Sequence, residues 1–204
     1  MTSSLGLYGF STLTLRGIFP HGIQRLALFS SVLLAVIAFA KKNGGPYFLS
    51  WTALSIIFLF LSLDEGAGLH ELWTPLLLRS FDARGFLYFV WVVPYTAFVL
   101  IFALTYLSFL AHLPVKTRNL FLTAGAIFVS GALGMELIEG NYANSFGERN
   151  MVMAILTTIE EFLEMMGVVV FIYALMSYLS SETKNVGICI KTEDQLLNTD
   201  TGFM

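Results

Sequence analysis

Charged side chains are scarce in this sequence. Asp, Glu, Lys and Arg make up 12% of the 204 residues, against roughly 25% in a soluble domain. Hydrophobic residues make up 56%, and the mean hydropathy is +0.76. This balance excludes an ordinary soluble domain and predicts an integral, multi-pass membrane protein. The formal net charge of −3 includes no basic patch of the kind that nucleic acid requires, so we expect the lipid bilayer and not nucleic acid as a partner.

Cysteine is almost absent as well. Cys189 is the only one, so an internal disulfide and a cysteine-based metal site are excluded, and cysteine usage says nothing of the compartment. The segment 1–15 carries no charged side chain and therefore lacks the basic region that begins a secretory signal peptide, so we expect the first apolar segment to be retained. P-loop, nucleophile-elbow and dinucleotide-binding motifs are also missing.

Long apolar stretches dominate what is present. Each approaches the roughly 20 residues that a helix needs to cross a bilayer. They cover residues 23–40, 47–63, 86–111, 119–138 and 151–179. The sequence therefore predicts an all-α bundle of about five transmembrane helices. We expect this domain to occupy residues 23–180, after an interfacial segment, 1–22, that Pro20 interrupts, and before a polar tail, 181–204.

Local features predict further details of these helices. Pro94 lies inside the third span and predicts a kink, because proline removes a backbone donor. The second helix is expected to continue past the acidic residues as far as Trp73. Small residues recur every four positions in the fourth span, at Ala126, Ser130 and Gly134, a spacing that predicts close approach of a neighbouring helix there. Tryptophan and the abundant phenylalanine suit interfacial anchoring and lipid contact.

Acidic residues are concentrated at three places along the spans. With five alternating spans, the end of the second, the end of the fourth and the start of the fifth lie at the same membrane face. We therefore expect the three clusters to converge in one leaflet. Residues three or four apart share a helix face, and a regular fourth helix would align Gly125 and Ala132 with its glutamates. The candidate site residues are Asp64, Glu65, His70, Glu71, Glu136, Glu139, Glu160, Glu161 and Glu164.

A divalent metal ion is one way to stabilise such a cluster. An ionised side chain at the centre of a transmembrane helix costs roughly 2.5–3.5 kcal/mol on insertion scales, and clustered carboxylates repel each other. Protons, arginine or lysine side chains, or a metal would offset that charge. Oxygen ligands with one imidazole suit Fe, Mn or Zn, and without the imidazole they suit Ca. The Glu-x-x-His pairs of helical di-iron proteins are missing, which disfavours that reading.

Several functions remain open at this point. The leading hypothesis is a metal site acting on a lipid-soluble substrate by redox or hydrolytic chemistry, although the residues leave open whether the chain is an enzyme. Its expected direct ligands are Glu65, His70, Glu136, Glu161 and Glu164. The remaining acidic candidates are expected to bridge the metal or to surround these ligands; they are Asp64, Glu71, Glu139 and Glu160. The alternatives are a proton- or cation-coupled transport or channel module, and an accessory subunit that binds a membrane protein partner or a second copy. The distribution of Lys and Arg slightly favours a cytoplasmic C-terminus.

Overall fold

Helices make up all of the regular structure in the described chain. The computed structural model describes residues 4–42, 45–69 and 84–200, with side chains described between residues 21 and 182 of these ranges. The predicted all-α class is therefore confirmed. The helices are α1 (Ser4–Ala40), α2 (Phe48–Ala67), α3 (Val92–His112), α4 (Val115–Val129), α5 (Glu136–Phe146) and α6 (Met151–Asp200), with a 3₁₀ turn at Gly85–Leu87 and a π-helical segment at Ser130–Met135 that joins α4 to α5.

Five helical segments are long and apolar enough to cross a membrane, as the sequence predicts. They are His21–Ala40, Phe48–Ala67, Val92–His112, Val115–Phe146 and Met151–Glu182. The fourth is composite, because α4, the π segment and α5 run on without a break. Helix α1 also includes Pro20, where the sequence predicted an interruption. Transmembrane helices tolerate proline where neighbouring groups satisfy the backbone.

The expected kink at Pro94 is not formed. Helix α3 begins at Val92, so Pro94 lies in its first turn and not in the middle of a span. The first backbone N–H groups of a helix have no partner within the helix. Proline therefore removes no helical hydrogen bond at this position, and the span can remain straight.

Helix α2 ends earlier than the sequence predicted. Gly68 adopts the left-handed conformation, with φ 60° and ψ 39°, and its backbone N–H donates to the carbonyl of Asp64 at 2.7 Å. Glycine takes this conformation without the steric penalty of a side chain, and it is the usual helix-ending residue for that reason. The uninterrupted helix expected through Trp73 is thus wrong at Gly68, while Trp73 itself lies outside the described residues.

An aromatic core joins four of the spans near the membrane face where α1 ends and α2 begins. Trp51 of α2 is 1% exposed, which makes it a packing residue and not the interfacial anchor that was expected. Its ring lies 4.9 Å from that of Phe109 in α3 and 6.2 Å from that of Phe121 in α4. It also stacks on Tyr178 of α6 at 5.1 Å. Large aromatic rings in contact stabilise a core beyond their buried area.

Two glycines bring the fourth span close to α6. A Cβ atom added at Gly167 would lie 2.8 Å from the backbone nitrogen of Phe128. A Cβ atom at Gly131 would lie 3.0 Å from the carbonyl oxygen of Glu160. Real Cβ atoms hardly ever come so near to backbone atoms, so only glycine permits this separation, as in other tightly packed membrane helices.

The sequence predicted close approach on a different face of the fourth span. Ala126 and Ser130 are exposed, and a Cβ atom added at Gly134 would meet nothing within 4 Å. The prediction of a tightly packed stripe along these three residues is therefore wrong. The spacing of small residues was real, but several faces of this helix carry them, and periodicity alone does not say which one meets a neighbour.

Candidate functional site

Three glutamates from two helices meet at one end of the bundle. Each of Glu136, Glu139 and Glu160 offers one carboxylate oxygen, and these three atoms lie within 4.8 Å of one another. Glu136 and Glu139 belong to the first turn of α5 and are 9% and 3% exposed. Glu160 projects from α6 and is partly buried. We call this group the glutamate triad.

The π segment orients two members of the triad. A π turn holds one residue more than an α turn. Glu136 and Glu139 follow Gly131 by five and eight residues, and with one residue absorbed they take the positions four and seven after it. In a regular helix those positions lie on the same face. The face of Gly131 that packs on α6 therefore also carries both carboxylates, whereas Gly125, expected in line with them, would have no atom within 4 Å of an added Cβ.

A hydrogen bond from α6 holds one member of the triad. The hydroxyl of Thr157 on α6 donates to Oε2 of Glu139 at 2.9 Å and lies 3.1 Å from the carbonyl oxygen of Met153. Carboxylate oxygens of Glu139 and Glu160 lie within 4.8 Å of each other. Because ionised carboxylates so close together repel each other, this arrangement favours a proton or a cation between them.

Further carboxylates surround the triad. Electrostatic interactions couple Glu164 of α6 to Glu65 of α2, to Glu161 on its own helix and to the triad glutamates of α5. Charges from the second, fourth and fifth spans therefore meet at one face of the membrane, as the alternation of the spans predicts. The field that these groups produce is strongly negative, and it favours protons or cations at this place.

Asp64 has a different neighbour. It is 7% exposed near the end of α2, and its carboxylate interacts with the hydroxyl of Tyr95 on α3. This contact joins two helices that also meet through the aromatic core and through a hydrogen bond from the Tyr106 hydroxyl to the carbonyl of Ser50 at 3.0 Å. Asp64 therefore connects α2 to α3, whereas the members of the glutamate triad belong to α5 and α6.

All three members of the triad are among the candidate residues that the sequence singles out. Glu136 was expected as a direct ligand, whereas Glu139 and Glu160 were expected to bridge the metal or to surround its direct ligands. His70 and Glu71 lie outside the described residues. Thr157 was not singled out, because a threonine in an apolar helix usually bonds to its own backbone. Its position three residues before Glu160 was the only available signal, since it places both on one face of α6.

The fold and the site together define a class of molecule: a helical bundle that fits a multi-pass membrane protein, with a carboxylate triad at one end. The chain belongs to the family described as Domain of unknown function (DUF8692), which matches residues 22–179. That match covers all five spans. No curated protein and no solved structure shows a significant match to the chain. Function must therefore be argued from the chemistry of the site.

Proposed function

We propose that this protein is an integral membrane protein that binds a divalent metal ion through Glu136, Glu139 and Glu160. The observation that supports this proposal is the 4.8 Å limit on the separation of their ligand atoms. Metal–oxygen distances are about 2.0–2.6 Å, so two oxygens on one ion lie up to about 4–5 Å apart. The triad could hold an ion with small side-chain adjustments. A doubly charged cation would also offset part of the local negative charge.

The donor atoms favour particular metals. The described members of the triad offer only carboxylate oxygens, which suit Ca, Mn and Fe better than Zn, whose sites are usually rich in nitrogen or sulfur ligands. Thr157 would support the site by holding the Glu139 carboxylate in place, as outer hydrogen bonds do in other metal sites. His70, outside the described residues, remains a proposed additional ligand.

The position of the triad suggests the kind of substrate. Glu136 and Glu139 belong to the fourth span and Glu160 to the fifth, so the site lies within the apolar length of the bundle. Ile138 and Phe162, on the same two spans, are 48% and 51% exposed. A molecule dissolved in the bilayer would reach such a site without crossing a water-exposed loop. We therefore propose a lipid-soluble substrate for metal-assisted redox or hydrolytic chemistry.

Elemental analysis of the purified full-length protein tests metal binding. We expect about one Ca, Mn or Fe ion per chain in the unaltered protein when it is purified under anaerobic conditions. The double change Glu139→Gln with Glu160→Gln keeps the shape of both side chains and removes their charge, so it should abolish binding. Glu148→Gln is the matched control, because Glu148 is exposed and lies beyond the triad, in the loop after α5. Equal metal content in all three proteins, or none in any, would refute the proposal.

Proton exchange is the second candidate function. The closeness of the Glu139 and Glu160 carboxylates favours it, since like charges so near each other favour a bound proton. Carboxylates within a membrane commonly serve proton or cation transport. In liposomes, a transport role predicts proton or cation flux that the double glutamine variant loses and the Glu148→Gln variant retains. The two functions are distinguished because this flux would not require a bound transition metal.

A further inference from the structure

A second polar cleft lies at the opposite membrane face from the glutamate triad. It is formed between the start of α4 and the last turns of the fifth span, and its volume is about 380 Å³. Lys116, Thr117, Tyr173, Ser177 and Ser181 are among its lining residues. We call this feature the α4–α6 cleft.

Two hydroxyl groups in the cleft lack partners. Thr117 is 4% exposed, and its hydroxyl forms no hydrogen bond within the part of the chain that the structure describes. The same holds for the hydroxyl of Ser177, although helical serines commonly bond to a carbonyl of the preceding turn. Both groups line the cleft and are therefore available to a polar ligand there.

The charge of the cleft favours an anion. The ammonium group of Lys116 lies 6.0 Å from the centre of the Tyr173 ring. Pro114 precedes α4 and provides no side-chain cap, and the first backbone bond of the helix runs from the N–H of Arg118 to the carbonyl of Pro114 at 2.9 Å. The N–H groups of residues 115–117 therefore have no partner within the helix. Such helix starts attract phosphate and similar anions.

We propose that the α4–α6 cleft binds a phosphate group. Lys116 would supply the charge, and the hydroxyls of Thr117 and Ser177 would donate to the phosphate oxygens. Because the cleft lies where α3 ends and α4 begins, it belongs at the level of the lipid headgroups, and the phosphate of an anionic phospholipid is the nearest source. Free phosphate offers the same chemistry from solution. This proposal is independent of metal binding at the glutamate triad, which lies at the other membrane face.

Native mass spectrometry of the full-length protein in detergent tests this site. Phosphatidylglycerol is titrated against the unaltered protein and against the single variants Lys116→Gln and Thr117→Val. Each variant should weaken lipid binding about tenfold, as expected for the loss of one hydrogen bond to a charged group. Lys42→Gln is the control for charge at the same face, and Thr105→Val is the control for a threonine exposed on α3. Both controls should bind the lipid like the unaltered protein.

Competition identifies the source of the phosphate. Retention of phosphatidylglycerol in the presence of excess inorganic phosphate supports a lipid headgroup. Displacement by inorganic phosphate, with the same dependence on Lys116 and Thr117, supports a soluble phosphate ligand in the same cleft. Equal affinity in all five proteins overturns the proposal. An equal fall in Lys42→Gln and Lys116→Gln also overturns it, because the binding would then reflect general surface charge.

Discussion

At the scale of single residues, Thr157 is a polar side chain on the largely apolar helix α6 that holds one carboxylate of the glutamate triad. Its hydroxyl donates to Glu139 at 2.9 Å, and one rotamer of a threonine is enough to fix one carboxylate oxygen. A glutamate side chain has several rotatable bonds, and holding it in place costs conformational entropy. The hydroxyl contributes part of that ordering before any ligand arrives.

Replacing Thr157 should therefore weaken metal binding without removing a ligand. We expect Thr157→Val to lower the affinity about 10–100-fold, the range found for supporting hydrogen bonds around metals. The measurement is competition with a chelator of known affinity. Thr158→Val is the matched control, because the hydroxyl of Thr158 donates to a carbonyl of its own helix, that of Ala154, at 2.7 Å. If the two variants bind metal equally, Thr157 has no supporting role.

At the scale of the helices, the contact between the fourth span and α6 decides whether the triad can form. Gly131 packs against the backbone of Glu160, so the same close approach brings together the carboxylates of α5 and α6. If the fourth span and α6 lay even a few tenths of an ångström farther apart, the carboxylate oxygens of the triad would also lie farther apart.

Gly131→Ala tests this coupling. The added methyl would lie 3.0 Å from the Glu160 carbonyl oxygen and 3.0 Å from Cβ of Leu163, so the helices must move apart. Overpacking of this kind destabilises a protein by about 1–3 kcal/mol. We expect a lower thermal denaturation temperature in detergent and a lower metal content.

Gly125→Ala provides the control for that experiment. An added methyl there meets nothing within 4 Å, and alanine favours the helix over glycine by up to about 1 kcal/mol. Its stability should equal or exceed that of the unaltered protein. A similar loss of stability in both variants would show that the close contact at Gly131 is not the cause.

The positions of the spans were predictable from the sequence. The rotation of the fourth span about its own axis was not. Apolar length alone identifies a membrane-crossing helix, and alternation of five such helices brings the glutamates of the fourth and fifth to one face. Which carboxylates meet depends on how the fourth span is rotated about its own axis. That rotation changes in the π segment at Ser130–Met135, and an apolar sequence with small residues carries no clear signal for a π turn. Gly68 is similar, because a glycine in an acidic stretch can continue a helix or end it.

At the scale of the whole molecule, the two membrane faces differ in charge. The glutamate triad lies at one face together with Arg25, Arg84 and Arg149. The other face carries Lys41, Lys42, Lys116 and Arg118, with Lys41 forming an ion pair with Glu182 at 3.2 Å. Positively charged residues near the ends of spans favour the cytoplasmic side. On this small excess of positive residues we propose that the C-terminus is cytoplasmic and that the triad faces outward.

The single cysteine provides a test of this orientation. A thiol reagent that cannot cross membranes should leave Cys189 unlabelled in intact cells and label it after permeabilisation. The control is Ser145→Cys in a Cys189→Ser background, because Ser145 is exposed near the opposite end of the fourth span. This variant should react in intact cells. Labelling of Cys189 without permeabilisation would reverse the proposed orientation.

The π segment also affects how the length of this chain can vary. Elsewhere in the fourth span, one residue added or lost turns everything beyond it by about 100°. Within Ser130–Met135, loss of one residue would let the wide turn close into a regular helix with all its backbone bonds made. The glutamates beyond it would then follow Gly131 by four and seven residues in a regular helix, and they would still face α6. This short segment can therefore lose one residue without turning the site, whereas a loss elsewhere between Gly131 and the glutamates would turn them away from α6.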